Sequence, residues 1–378
     1  ETGLYISFND GETWQAFQQN LPLTPIHDLA IHPTEHDLVV CTHGRGFWVM
    51  DNLSLLYQNN GATNKLVLSC RNTFNAGGGS YETTNMQVGQ NAPCGLVIDY
   101  FLPETFNKEV FIKIKNEKGD SIAAFSSLRD KNYAPIIINQ DFYQPKTAKP
   151  IGLVPVAKGF NRFVWDMKTA DLVQLEGDGK IMWGASLTGP LAQPGRYQIE
   201  LLFGDSLIQK QSCAILPDAR FKTVDEQAYK KKRDLLDSII VKTNAVHKSI
   251  NQMRGIRKQI NEFTGSISNK EMRDSMIKMG KLIIDSMNSI ENTLVQNKAK
   301  NGQDLLNYPM KLNNKMAALI DQVDAFKGEL PQQYFDVYND LAMKIDAQLF
   351  RFEKLKNEAI ADFNKKAKLI EIDVIKLK

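Results

Sequence analysis

The chain has 378 residues, with 46 Lys and Arg against 43 Asp and Glu and 43% hydrophobic residues, a balance that excludes disordered and collagen-like polypeptides. That length has room for two or three domains, and no apolar run approaches the roughly 18 residues that a membrane-spanning helix needs. Its four cysteines are too few for a disulfide-built scaffold. Charge is uneven: residues 222–378 carry 28 Lys and Arg against 21 Asp and Glu, and residues 1–221 carry 18 against 22. In the basic part both signs alternate every few residues, which describes a solvated helical face and not a nucleic-acid-binding stripe.

The chain opens at Glu1 inside a β motif and is read as a fragment or processed product, with any export signal upstream. Twelve of the 14 prolines, 19 of the 24 glycines and all four tryptophans precede residue 222. Turn signals there alternate with short β-type runs. In residues 1–56, Leu4–Phe8 predicts a strand, Asn9-Asp10-Gly11 a turn, and Asp37–Thr42 and Gly46–Met50 two strands around His43-Gly44-Arg45. Two hairpins make one propeller blade, and one blade cannot bury both of its faces, so something must pack on it.

Residues 65–216 predict an antiparallel sandwich of the immunoglobulin or fibronectin class, with strands at 97–102, 110–114, 163–166 and 196–202 and turns at 117–120 and 194–195. Gly77-Gly78-Gly79-Ser80 reads as a loop, because no helix pattern follows to make it a phosphate cradle. The boundary falls at Leu216-Pro217, since proline cannot continue a strand ladder, and Thr223, Asp225 and Glu226 mark a helix start.

Residues 222–366 predict an up-down four-helix bundle, with 367–378 as a tail. Apolar residues recur at helical spacing from Leu236 to Ile260, from Met272 to Leu294, from Met316 to Val323 and from Phe335 to Leu355. Gly265–Asn269 breaks the first pair, and Pro331 suits a first helical turn. Core filling accounts for the many methionines.

The sharpest motif is Ser7-Phe8-Asn9-Asp10-Gly11-Glu12-Thr13-Trp14, the Asp-box pattern S-x-D/N-x-G-x-T-W. Ser7, Asn9, Asp10, Gly11, Thr13 and Trp14 are assigned folding roles: polar side chains bond local backbone, Gly11 permits the tight turn and Trp14 packs back beneath the hairpin. Asp10 and Glu12 as paired catalytic acids would have to face a common substrate. His27, His32, His36 and His43 lie close in sequence, but lack the tight ligand pairing of a zinc site, so no metal and no cofactor is expected. Cys41 and Cys213 read as small core residues, and Cys70 is open to pairing with Cys94 in an exported protein. Trp183 reads as a sandwich-core tryptophan, with sugar stacking by an exposed ring as the alternative. No nucleophile elbow, Walker loop or dinucleotide fingerprint is present, so no catalytic residue is assigned.

The Asp-box, together with Asp37–Asp51 and its strand motif His43, Gly44, Arg45, Gly46, resembles the end of a sortilin-type or xyloglucanase-type β-propeller. Similarity extends through Gln90–Tyr100, Gly159–Asp166, Gly189–Tyr197 and Leu306–Met316, covering most of the chain. These features resemble large exported bacterial proteins described as sortilin-like or glycosyl-hydrolase-like BNR repeat proteins. The resemblance implies a multi-bladed propeller upstream that residues 1–56 close. It also implies an outer-membrane-associated, periplasmic or extracellular location, with protein or glycan partners at the cell envelope. The implied role is that of an interaction or scaffold portion. Two alternatives are an accessory region of a glycoside hydrolase whose acids lie in upstream blades, and a peptide-binding sortilin-type receptor.

Overall fold

The structure, a computed structural model, describes residues 2–59, 67–75, 93–104, 108–129, 152–221 and 224–370. The 77–80 glycine run lies outside them. The protein is a multidomain β-plus-α chain of two compact units. The described residues up to Met167, with Pro194–Pro217, form the first unit, and residues 168–193 with 218–370 form the second.

The first unit opens with β1 (Tyr5–Ile6) paired to β2 (Gln15–Ala16), a shorter strand than the apolar run 4–8 predicts because Ser7–Trp14 is consumed by a turn. Strands β3 (Ile26–Ile31), β4 (Leu38–Thr42) and β5 (Phe47–Met50) follow as an antiparallel meander. β3 was not anticipated, since His27, Asp28 and the following Pro33 dilute its pattern. Leu4, Phe17, Leu38, Val40, Leu53 and Leu56 form the core beneath this meander, the last two from the short helix α1 (Ser54–Asn59) and its approach.

Strands β6 (Val67–Cys70), β8 (Leu96–Leu102) and β11 (Gly159–Trp165) make a second three-stranded sheet, in the order β11-β8-β6. A five-stranded sheet runs β10-β9-β12-β13-β7, built from β7 (Thr73–Phe74), β9 (Val110–Asn116), β10 (Ser121–Ser126), β12 (Gly195–Phe203) and β13 (Ser206–Leu216). All its pairings are antiparallel except β13 with β7. Period-two burial selects the inward residues: Val110, Ile112 and Ile114 on β9, and Tyr197, Ile199 and Leu201 on β12. Aromatic edges join the two sheets, Trp165 against Tyr197 with ring centroids 6.0 Å apart and Phe125 against Phe163 at 4.8 Å. The ladder stops at Leu216, before Pro217, as the sequence predicts.

Polar bonds hold the N-terminal segment to these strands. Arg162 forks onto buried Asp99 at 2.7 and 3.1 Å, Asn52 donates to the same carboxylate at 3.3 Å, and Arg71 reaches Asp37 at 2.9 Å.

The second unit is helical: α2 (Glu226–Ser266), α3 (Lys270–Leu294), α4 (Leu312–Ala325), α5 (Gln332–Leu355) and α6 (Ala361–Ala367), the last two joined by a π-helical turn at Lys356–Ile360. Asp225 and Asn269 cap α2 and α3 by accepting from Ala228 N and Met272 N. Met253, Met276, Met287 and Met316 are buried in one core with Ile250, Ile290 and Ile320. Gly280 lets α3 approach α2 closely, since a Cβ there would lie 2.6 Å from Ile260 Cγ2. No helix among the described residues is long and apolar enough to cross a membrane.

Two expectations are corrected. Residues 168–193 fall in the middle of the predicted 65–216 sandwich, yet belong with the helices, because Leu172 and Leu175 are buried in the helical core. Trp183 lies in this same segment and is 50% exposed, so it is not a sandwich-core residue.

Candidate functional site

The Asp-box residues build one self-contained turn. Ser7 Oγ accepts from Gly11 N at 2.8 Å and Asn9 N at 3.3 Å, and donates to Asn9 Oδ1 at 3.0 Å. Asn9 Oδ1 accepts from Thr13 N at 3.0 Å, and Asn9 Nδ2 donates to Thr13 Oγ1 at the same distance. Asp10 (φ 54°) and Gly11 (φ 91°) adopt the left-handed region. Trp14 donates from Nε1 to Gly11 O at 3.1 Å, but its ring is 64% exposed and folds over its own turn instead of beneath the hairpin. Asp10 and Glu12 are both exposed.

The His43-Gly44-Arg45-Gly46 turn repeats the device. Gly44 and Gly46 take φ of 72° and 73°, Thr42 Oγ1 donates to Gly46 O at 2.7 Å, and Trp48 Nε1 donates to Arg45 O at 3.0 Å. In both turns an indole N–H closes onto the carbonyl three residues before it. His43 also anchors the segment leading into β3: its N–H donates to Pro25 O at 2.9 Å, and its carbonyl accepts from Thr24 Oγ1 at 2.9 Å.

The clustered histidines do not converge. His27 Nε2 meets His43 Nδ1 at 2.9 Å, His32 Nδ1 accepts from Glu35 N, and His36 stands edge-on to Tyr57. Among the described residues no three His, Cys, Asp or Glu side chains gather as metal ligands.

Around these turns the β3-β4-β5 sheet is apolar on both faces. Leu38 and Val40 face the core, while Val39, Cys41, Phe47 and Val49 point the other way, with Phe47 77% and Val49 59% exposed. A cleft of about 170 Å³ opens on the core side between Leu4, Phe17, Val40, Trp48 and Met50.

The helical unit presents a second arrangement. Residues 172–191 run over α2 and α4 as an irregular strap without helix or strand pairing apart from the Leu191 bridge, and helix side chains satisfy much of their backbone. Asn244 accepts from Val173 N at 2.8 Å, and Asn251 takes Glu176 N and Gln174 O at 2.9 Å each. Arg254 donates to Glu176 O, and Asn314 holds both N and O of Trp183 at 2.9 Å. Asp321 and Asp324 accept from Ser186 N and Leu191 N at 3.1 Å. His247 Nδ1 donates to Val173 O while Asn313 Nδ2 donates to its Nε2, so the ring is neutral, and burial holds its pKa below the usual value.

Beneath the strap, Glu291 is 2% exposed and accepts from Arg254 at 2.6 and 2.9 Å, from Asn297 at 3.0 Å and from Arg257. Lys232, also buried, donates to Asp324 O and Phe326 O at 2.9 Å and so caps the C-terminus of α4, and burial pushes its pKa down to about 8.

Sequence reasoning missed this strap and its clamp. One signal was legible: Asn244, His247, Asn251 and Arg254 stand at spacings of 3, 4 and 3, a polar stripe on one face of α2. No family model matches the chain, and neither does any curated protein or solved structure.

Proposed function

We propose that the chain is the C-terminal interaction and scaffold portion of an exported, sortilin-like Asp-box propeller protein of the bacterial cell envelope. In this reading, residues 1–56 are the closing blade, the three- and five-stranded sheets are a sandwich of the immunoglobulin or fibronectin class, and the helices are a bundle. The observation that carries it is the Asp-box turn in which, among the described residues, the side chains of Ser7, Asn9, Thr13 and Trp14 bond only to their own turn, set beside a meander whose Phe47 and Val49 are exposed. A turn wired in this way stabilises a blade, and a blade with one bare apolar face needs a neighbour.

Photo-crosslinking tests the reading. A photoreactive residue at Phe47 in the native protein should crosslink to a preceding stretch of the same polypeptide, whose intact mass then exceeds that of these 378 residues. A mass equal to this chain, with no crosslinked product, would sink it.

A further inference from the structure

Cys70 ends β6 and Cys213 lies in β13, strands of different sheets, but the chain crosses between those sheets immediately after Cys70. Asn72 Oδ1 accepts from Ala214 N at 2.8 Å, and Thr73 pairs in parallel register with Ile215. The residues next to Cys70 are therefore fastened to the residues next to Cys213. Period two turns both thiols inward: Cys213 and Ile215 are buried on one face of β13, and fully buried Leu68 shares the face of Cys70. The two thiols thus sit on facing inner surfaces beside the crossover, and all four cysteines are free in this structure.

Cys94, the partner open to Cys70 from sequence, lies outside the ladder that Cys70 joins. Cys70 pairs with Ile98, whereas Cys94 lies in the bend before β8, where the next residue's carbonyl, Gly95 O, accepts from Thr73 Oγ1 at 3.2 Å, three residues past Cys70. Cys94 is also exposed, and Cys41 belongs to the separate β3-β4-β5 sheet.

We propose that Cys70 and Cys213 are a disulfide pair that ties the three-stranded sheet to the five-stranded sheet when a small disulfide is present as oxidant. Cys70, the more accessible thiol, attacks as thiolate on the oxidant RSSR, breaking its S–S bond, releasing one RS⁻ and forming a mixed disulfide. Cys213 then loses its proton and attacks the Cys70 sulfur, displacing the second RS⁻. Two protein thiols are oxidised and one RSSR is reduced to two RSH. The neighbouring thiol and burial both raise the pKa of Cys70, so the folded, reduced pair exchanges slowly near neutral pH and the bond closes during folding.

This inference does not depend on the function proposed above, since it is read in vitro on the purified chain. The full chain is refolded in a glutathione redox buffer, alkylated in denaturant and digested without reduction. The expected result is a linked peptide containing Cys70 and Cys213, alkylation only at Cys41 and Cys94, and a Tm roughly 5–10 °C above that of the reduced chain. Cys70→Ser should abolish both the linked peptide and the Tm difference between redox states. Since a buried serine costs stability by itself, the deciding comparison is the wild-type chain oxidised against reduced. Four alkylated thiols after equilibration, or a linkage of Cys70 to Cys94 or Cys41, would overturn the proposal.

Discussion

The β3-β4-β5 meander and the helical unit handle apolar surface in opposite ways. A strand sends alternate side chains to two faces, and the meander has cover for one only: Leu38 and Val40 are buried while Phe47 and Val49 are exposed. A helix needs cover for a single stripe, and α2 to α6 enclose theirs around Met253, Met287 and Ile320. They even take Leu172 and Leu175 from a segment that precedes them by dozens of residues. Both units expose single apolar side chains, Phe350 and Leu282 on the helices among them, but among the described residues only the meander leaves the whole second face of a strand pair bare. The two regions should therefore respond differently to substitution.

The largest effect is expected beneath the strap. Glu291→Ala leaves the half-buried Arg254 and Arg257 without their shared anion and should cost about 3 kcal/mol in urea unfolding. Lys232 provides a pH handle on the same unit. Its folded pKa of about 8 lies below the 10.5 of an ordinary lysine, so between those values the unfolded chain holds a proton that the folded chain has released. Stability from this group should rise across that window by up to about 3 kcal/mol and stay flat below it. The difference between wild type and Lys232→Met, followed from pH 7 to 10.5, isolates the effect.

Two glycines should differ in sign. Gly280→Ala forces a Cβ against Ile260 and should lose about 1–2 kcal/mol, whereas Gly255→Ala in α2 meets nothing within 4 Å and should gain about 0.5–1 kcal/mol, both read from thermal unfolding. Asn314→Ala removes both bonds to the Trp183 backbone, at roughly 1 kcal/mol, and should accelerate hydrogen exchange at the Trp183 and Ser186 amides while α2 stays protected. Smallest is the change on the open face. Phe47→Ser should leave stability within about 0.5 kcal/mol but reduce self-association in sedimentation at high concentration. A stability loss comparable to that of Glu291→Ala would mean that the face is closed in the free chain and would break the comparison.

Local physics was legible in the residues themselves. Helical periodicity placed α2, α3, α4 and α5, because an amphipathic stripe is written every three or four residues, and Asp225 and Asn269 stood where caps belong. Pro217 ended the β region for the reason that proline ends ladders, and the Asp-box spelled out its turn because all its bonds lie within a few residues. What only the tertiary structure decided is contact between residues far apart in the chain. Residues 168–193 carry ordinary loop composition, and nothing local tells Leu172 and Leu175 that their core lies in helices dozens of residues away. The partner proposed for Cys70 was equally hidden: Cys94 is near in sequence but lies in the bend beside Thr73, while the 72–73 crossover brings Cys213 in. Periodicity and turn chemistry are short-range and survive in a single sequence. Pairing across sheets and the capture of a strap depend on where distant backbones meet, and that is set when the whole chain packs.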